Sequence, residues 1–392
     1  MTKPLEGIKI IECTHVITGP FCGMLLGDLG ADIIKIEQPG VGEYARNGGY
    51  KTENNTSLWF PNYNRNKRDL TLNLKTEKGK NLFKDLVEES DILIENFRPG
   101  LLNELSLGYE VLKEINPQLI MISISGYGQT GPKSSKTAFD MTVLADSGLM
   151  SLTGEEGGIP MKMGTAISDF LAGVYGALGA LVSIINRNKT GMGQYVDVSM
   201  LDCLLSIYET SISEYTVLGM KPVRPGNRRA SSAPSNIFLA KDGYVYIAAF
   251  FQNYFEKLFK ILDCEHYIDD ERFKTGNLRK ENEKILEEVI ESWVKDKTVE
   301  EVNEILEKQN IPCAPVREVE QVVDEYKDSI MSFDYPGIGE FKVAKFPLKF
   351  STINTDLTKR PPILGEHNKE IICDFLGYSE EVYEELIKHG VI

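Results

Sequence analysis

The chain has 392 residues, 42% of them hydrophobic and 26% charged, and a formal net charge of -15 at pH 7. That length buries a large core and implies two domains, while the acidic balance argues against general nucleic-acid binding. Six cysteines (Cys13, Cys22, Cys203, Cys264, Cys313, Cys373) are scattered without a Cys-x-x-Cys pair, which argues against a zinc site or disulfide framework and suits a reducing cytoplasm.

The N-terminus mixes Lys3, Glu6 and Lys9 with apolar residues and does not read as a signal sequence. The first two hundred residues then alternate short apolar strands with helical patterns. Strands are predicted at Ile8–Glu12, Asp32–Glu37, Asp91–Glu95 and Leu119–Ser123, dense in Ile, Leu and Val as strands buried on both faces are. A helical pattern occupies Lys75–Ser90. Such alternation predicts right-handed crossovers and a doubly wound parallel sheet of α/β type. Gly19, Gly23 and Gly27, at four-residue spacing, read as a face of close packing. Gly40-Val41-Gly42-Glu43-Tyr44-Ala45 formally fits a dinucleotide motif, but Arg46–Tyr50 is polar and glycine-rich and no acid lies between Ser57 and Arg68 to hold a ribose, so a Rossmann cofactor site is rejected. Arg65, Lys67, Arg68 and Lys75 form a basic strip, either a solvated surface or an anion-binding patch.

Met163-Gly164-Thr165-Ala166-Ile167-Ser168-Asp169 leads into a glycine-studded apolar stretch that ends at Lys189-Thr190-Gly191. It reads as one buried helix with Ser168 or Asp169 as N-cap, Lys189 in the last turn and Gly191 as the stop. Its apolar run, Phe170–Ile185, is shorter than the roughly 18 residues of a membrane span, so a soluble, unexported protein is expected. Asp169 is either a helix cap or a nucleophile held among small residues where an acyl group can approach. Around Leu218–Ala233 the chain turns polar and loop-like, with Pro222, Pro225, Gly226 and then Pro234. A linker there starts a smaller α+β domain with a strand at Tyr244–Ala249 and charged helices at Glu281–Lys295 and Val299–Gln309. From about Met331 the chain returns to the first domain, with terminal helices at Ile372–Leu376 and Glu380–His389, so the domains run 1–217, 218–330 and 331–392.

Several stretches, in order, resemble the family III CoA transferases, the group that includes formyl-CoA:oxalate, carnitine and succinyl-CoA:glutarate type enzymes. They are Leu5–Glu12, Thr18-Gly19-Pro20-Phe21, Leu29–Glu37, Asn64–Arg68, Glu95-Asn96-Phe97-Arg98-Pro99-Gly100, Ser125–Pro132, Thr190–Gln194 and Arg360–His367. Asp169 falls where that family carries its catalytic aspartate. The resemblance implies a ring-like protomer in an interlocked homodimer, an acyl-CoA and a carboxylic acid as small-molecule substrates, and neither a tightly bound cofactor nor a metal. It also implies CoA contacts at Val16, Ile17 and Thr18, at Leu72, Asn73 and Lys75 on the nucleotide side, and at Asn96 and Phe97, with Arg98 toward a phosphate or carboxylate. Gln38 and Glu104 depart from basic residues common among relatives.

In the mechanism so implied, Asp169 attacks the donor thioester, and the released thiolate converts the anhydride to an aspartyl-CoA thioester that the acceptor acid resolves. Asp140 matches a family acid near the active site, or is a plain cap. The α-methylacyl-CoA racemases share the superfamily but carry His-Asp where this chain has Phe139-Asp140, so their histidine is absent; His15 lies on the loop after the first strand, while His266, His367 and His389 lie elsewhere. Ile17 and Ala248-Ala249-Phe250-Phe251-Gln252 argue against oxalate as the acid. The pattern is nearest the succinyl-CoA:dicarboxylate members, with Arg224, Arg228 and Arg229 facing a second carboxylate or forming a basic linker surface. A non-catalytic acyl-CoA binding protein is the remaining class, and an intact Asp169 counts against it.

Overall fold

The computed structural model describes residues 3–356 and 359–392. They divide into two compact units, one holding the chain up to Gly148 with Met163–Glu209 and Lys327–Ile392, the other holding Leu149–Lys162 and Thr210–Tyr326. The larger unit is built on six parallel strands: β1 (Lys9–Cys13), β2 (Asp32–Glu37), β3 (Lys67–Thr71), β4 (Ile92–Glu95), β5 (Ile120–Ser125) and β6 (Tyr195–Ser199). Their order is β3-β2-β1-β4-β5-β6. The chain therefore winds outward from β1 in one direction and then from β4 in the other. A crevice opens between the carboxyl ends of those two strands, where ligands bind in sheets of this kind. The parallel α/β sheet agrees with the alternation of the sequence, but β3 and β6 escaped it because Lys67-Arg68-Asp69 and Asp197 interrupt their apolar pattern.

β3 is fully buried despite its charges, because each finds a partner. Lys67 Nζ lies 2.8 Å from Glu12 Oε2 on β1, and Lys35 Nζ on β2 lies 3.1 Å from Glu12 Oε1, all three side chains having no solvent exposure. Arg65 pairs with Asp28 at 2.7 Å and Arg68 with Asp32 and Glu370. The basic strip read from sequence is thus not an anion-binding patch: of its four residues only Lys75 is exposed. Burial pushes the Lys67 amine down to about 8, against the opposing pull of Glu12, whereas Glu12 and Glu43 outweigh burial at Lys35 and raise it.

The helix Thr18–Asp28 lies over this cluster, and its glycines are the reason it can. A Cβ at Gly23 would sit 1.8 Å from Glu12 Oε2. The helix carrying Asp169 runs Ile167–Thr190 and packs on the first helix, where a Cβ at Gly173 would meet Thr18 O and the Phe21 ring at 2.9 Å. With 24 residues it is long and apolar enough to cross a membrane by length and composition, longer than its apolar run implied. Its Ala172, Gly173, Gly176, Ala177 and Ala180 are buried, and Gly191 ends it in a left-handed conformation.

The smaller unit contains a three-stranded antiparallel sheet of β7 (Ser235–Leu239), β8 (Tyr244–Ala248) and β9 (Cys313–Pro315), covered by helices including Glu283–Val294 and Val299–Glu307. The segment Leu149–Lys162, assigned to the large domain by sequence order, belongs to this unit because Arg224 donates to the carbonyls of Ser151 and Gly158 at 3.1 and 2.6 Å. A hairpin of β10 (Ile330–Tyr335) and β11 (Gly339–Ala344) opens the return to the larger unit.

Removing one partner of a buried pair strands the other charge, so Lys67→Met is expected to lower the unfolding free energy by about 3–5 kcal/mol in urea titration. A loss under about 1 kcal/mol would show that the Glu12 cluster contributes little net stability.

Candidate active site

The loops that leave β1, β4 and β5 enclose a cavity of about 470 Å³. Its wall includes His15, Val16 and Thr18 after β1, Asn96–Pro99 after β4, Ser125 and Gly126 after β5, Lys136–Asp140, and Asp169. The sequence-derived candidates Val16, Thr18, Asn96, Phe97, Arg98, Asp140 and Asp169 therefore meet in one place. Ile17 is buried beside them, with its carbonyl accepting from the Phe21 amide at 2.8 Å. Leu72, Asn73 and Lys75 do not line this cavity. Leu72 points into the core beneath the sheet, Asn73 is tied to the carbonyl of Val391 through its own amide, and Lys75 is on the surface. Gln38 is exposed, and its carbonyl closes the turn to Gly42.

Asp169 occupies the third position of its helix, and it is not the cap. The residue at the cap position is Ala166, which offers no side-chain acceptor. Asp140 does that work from the neighbouring Asp140–Ser147 helix: its Oδ1 accepts from the amides of Ser168 at 2.7 Å and Asp169 at 3.4 Å. The expectation that Ser168 or Asp169 caps the helix fails for this reason, and the Asp169 carboxylate is left free to face the cavity. There Thr18 donates its hydroxyl to Asp169 Oδ1. Burial raises the Asp169 carboxyl to about 6, with the nearby Asp140 charge adding to the shift and the Thr18 hydrogen bond opposing it. On the far side Phe170 meets Phe21 at 5.0 Å and Tyr63 at 5.9 Å between ring centroids. Burial and the Asp169 charge both raise the Tyr63 phenol, which keeps it a donor. Nothing in the Tyr63 segment marked it from sequence, since its proximity exists only once helix and sheet are assembled.

Asn96 holds His15 at both ends, accepting from its amide at 2.8 Å and donating to its carbonyl at 2.9 Å. The His15 ring lies 5.2 Å from Phe97, and burial, with Lys35 next, lowers its pKa. Both effects favour the neutral imidazole. Phe139 forms part of the wall. The cations of the wall are Arg98 and Lys136, paired with Glu104 at 2.8 Å and Asp146 at 3.1 Å. A second cavity, about 520 Å³, shares Arg98, Pro99, Ser134 and Ser135 with the first and holds Glu95, whose carboxyl burial raises to about 7. In the smaller unit Arg228 is engaged with Glu287 at 2.8 Å and Arg224 with backbone carbonyls, so neither is a free carboxylate receptor; Arg229 stacks 4.5 Å from the Phe250 ring. Among the described residues no cluster of His, Cys, Asp and Glu has metal-binding form.

The chain has relatives. The model of CoA-transferase family III matches residues 5–368. Succinyl-CoA:glutarate CoA-transferase of Homo sapiens is 34% identical over 394 residues, covering 100% of this chain and 90% of that protein. Succinyl-CoA–D-citramalate CoA-transferase of Chloroflexus aurantiacus is 35% identical over 384 residues, covering 97% of this chain and 96% of its own length. The crystal structure of a CaiB/BaiF family protein from Brucella suis superposes with a TM-score of 0.85 at 34% identity, over 95% of this chain and 100% of the other.

A carboxyl whose folded pKa lies above its unfolded value adds stability that is complete below the unfolded value, near 3.8, and lost as pH rises through about 6. Asp169→Asn is expected to melt above wild type at pH 7.5, by about 1–3 kcal/mol, with the gain shrinking toward pH 4. A pH-independent loss would show instead that Asp169 caps its helix.

Proposed function

The chain belongs to the family III CoA-transferases and is an enzyme that transfers CoA to an acid; from that premise we propose that the transfer runs through a covalent intermediate on Asp169, with a dicarboxylic or similar organic acid as acceptor. The observation that carries this reading is the free carboxylate: Asp140 satisfies the helix amides, and Asp169 turns to the cavity at the switch of strand order. An Asp169 oxygen attacks the thioester carbonyl of the donor, expelling CoA thiolate and forming a mixed anhydride. The thiolate then attacks the aspartyl carbonyl, which releases the donor acid and leaves CoA on Asp169. The acceptor carboxylate repeats the exchange in reverse and departs as the new acyl-CoA. The positive end of the helix favours the ionised form that starts the sequence, and Thr18 orients it. Val16, Ile17, Asn96 and Phe97 would line the pantetheine arm, Arg98 a phosphate or carboxylate, and Leu72, Asn73 and Lys75 the nucleotide end, the first through its backbone. The relatives named for glutarate and D-citramalate support an acceptor with two carboxylates.

The proposed homodimer has support in the Asp169 helix, whose Val174, Leu178, Val182 and Ile185 form one exposed apolar stripe at spacings of four, four and three residues. Leu178→Glu with Val182→Glu is expected to convert a dimer to monomer by light scattering. A monomeric wild type would end that proposal.

Incubation with succinyl-CoA is expected to leave a hydroxylamine-sensitive CoA adduct on the peptide that contains Asp169, detected by mass. A panel of C4 to C6 dicarboxylic acids is expected to accept CoA in preference to oxalate, with kcat/KM falling below about pH 6 as Asp169 protonates. Asp169→Asn should fold, bind CoA and lose transfer by a factor on the order of 10⁴ or more. An Asn variant that transfers near the wild-type rate would sink the covalent mechanism.

A further inference from the structure

The segment Gly40-Val41-Gly42-Glu43-Tyr44-Ala45 lacks the context of a dinucleotide motif, yet its acid is buried and holds two backbone amides through one oxygen. Glu43 Oε2 accepts from the amide of Val16 at 2.8 Å and from that of Ala45 at 3.0 Å. Its Oε1 lies 3.6 Å from Lys35 Nζ, and both side chains have no exposure. The Glu43 amide itself donates to Glu37 Oε2 at 2.7 Å, and Glu37 is in turn gripped by Arg46, 2.6 Å from its Oε1. Gly42, at φ +72°, makes the turn that delivers the acid.

What Glu43 holds is an unusual residue. Val16 is β-branched and stands at φ +68°, a left-handed conformation that such side chains adopt only where their surroundings impose it. The neighbours of Val16 are held as well: Lys35 Nζ donates to the Thr14 carbonyl at 2.9 Å, and Asn96 takes both backbone groups of His15. Two residues beyond Val16 is Thr18, whose hydroxyl meets Asp169.

We infer that Glu43 is a positioning residue for CoA transfer: by gripping the Val16 amide it keeps the β1 loop left-handed, and this sets Thr18 against the Asp169 carboxylate. The inference rests on the reading of Asp169 as nucleophile. Glu43 touches no reacting atom and acts through the loop.

Glu43→Gln tests it, because the glutamine turns its carbonyl to Lys35 and its amide hydrogens toward the Val16 and Ala45 amides, donor against donor. The expected loss is on the order of 10- to 100-fold in kcat, with KM for the acyl-CoA within about twofold. Glycine adopts the left-handed conformation without imposed strain. In a Val16→Gly background the same Glu43→Gln change is therefore expected to cost less than about threefold. Equal losses in both backgrounds, or no loss in either, would overturn the inference. Backbone hydrogen exchange gives a readout free of turnover: the Val16 amide should exchange faster in Glu43→Gln while the centre of the Thr18–Asp28 helix stays protected, and unchanged exchange overturns the clamp. If the wild type transfers no CoA to any acid, the transfer mechanism fails by itself and the exchange result alone judges Glu43. If Glu43→Gln does not fold, Val16→Gly decides: a melting temperature at or above wild type supports an imposed conformation, and a lower one overturns it.

Discussion

Glu12 is a carboxylate without exposure in the middle of a parallel sheet, and the larger unit brings two lysine ammonium groups against it. Burying one such charge alone is prohibitive, so two lysines converge on it, Lys35 from the neighbouring β2 and Lys67 from β3 beyond it. The same lysines then reach past Glu12. Lys35 takes the Thr14 carbonyl and Lys67 the Pro20 carbonyl at 2.9 Å each, while Thr14 donates its hydroxyl to Glu12 at 2.8 Å. One buried ion cluster thus fixes the end of β1, the start of the following helix and, through Glu43, the loop between them. A hydrophobic cluster of equal volume would stabilise the sheet as well, but it would offer no hydrogen bonds to hold that loop.

The same economy governs the two helices that meet at the cavity. Glycines on the first helix let it approach the ion cluster, and glycines and alanines on the second let it approach the first. Close approach brings Thr18 beside Asp169, and it also removes water from around that carboxylate. The rise of its pKa is a consequence of packing more than of any neighbouring charge. Asp140 completes the arrangement by taking over the capping of the Asp169 helix, which leaves the Asp169 carboxylate to face the cavity.

An acidic protein that takes an anionic substrate needs local cations, and these are not the ones that a basic run suggests. Arg65, Lys67 and Arg68 serve internal pairs. Arg98 and Lys136, far apart in sequence and each beside an acid, stand at the cavity. Their partners Glu104 and Asp146 are exposed and hold them weakly.

The parallel α/β sheet was legible because Ile8–Glu12, Asp32–Glu37, Asp91–Glu95 and Leu119–Ser123 carry apolar runs whose periodicity is local. The Asp169 helix was legible for the same reason, and Gly191 marked its end. The ordered short motifs, matched end to end, identify the family, and of the contacts that resemblance implies, Val16, Thr18, Asn96, Phe97, Arg98 and Asp169 line the cavity whereas Leu72, Asn73 and Lys75 do not. Tertiary structure decided the rest, because charge and capping are satisfied by residues distant in the chain. Lys67 reads as solvent-facing until Glu12, 55 residues earlier, neutralises it. Asp169 reads as a cap until Asp140, 29 residues earlier, takes the amides. Glu43 reads as part of a failed glycine motif until the fold sets its carboxylate on the amide of Val16. No local pattern encodes those pairings: each depends on where two separate segments arrive when the sheet closes.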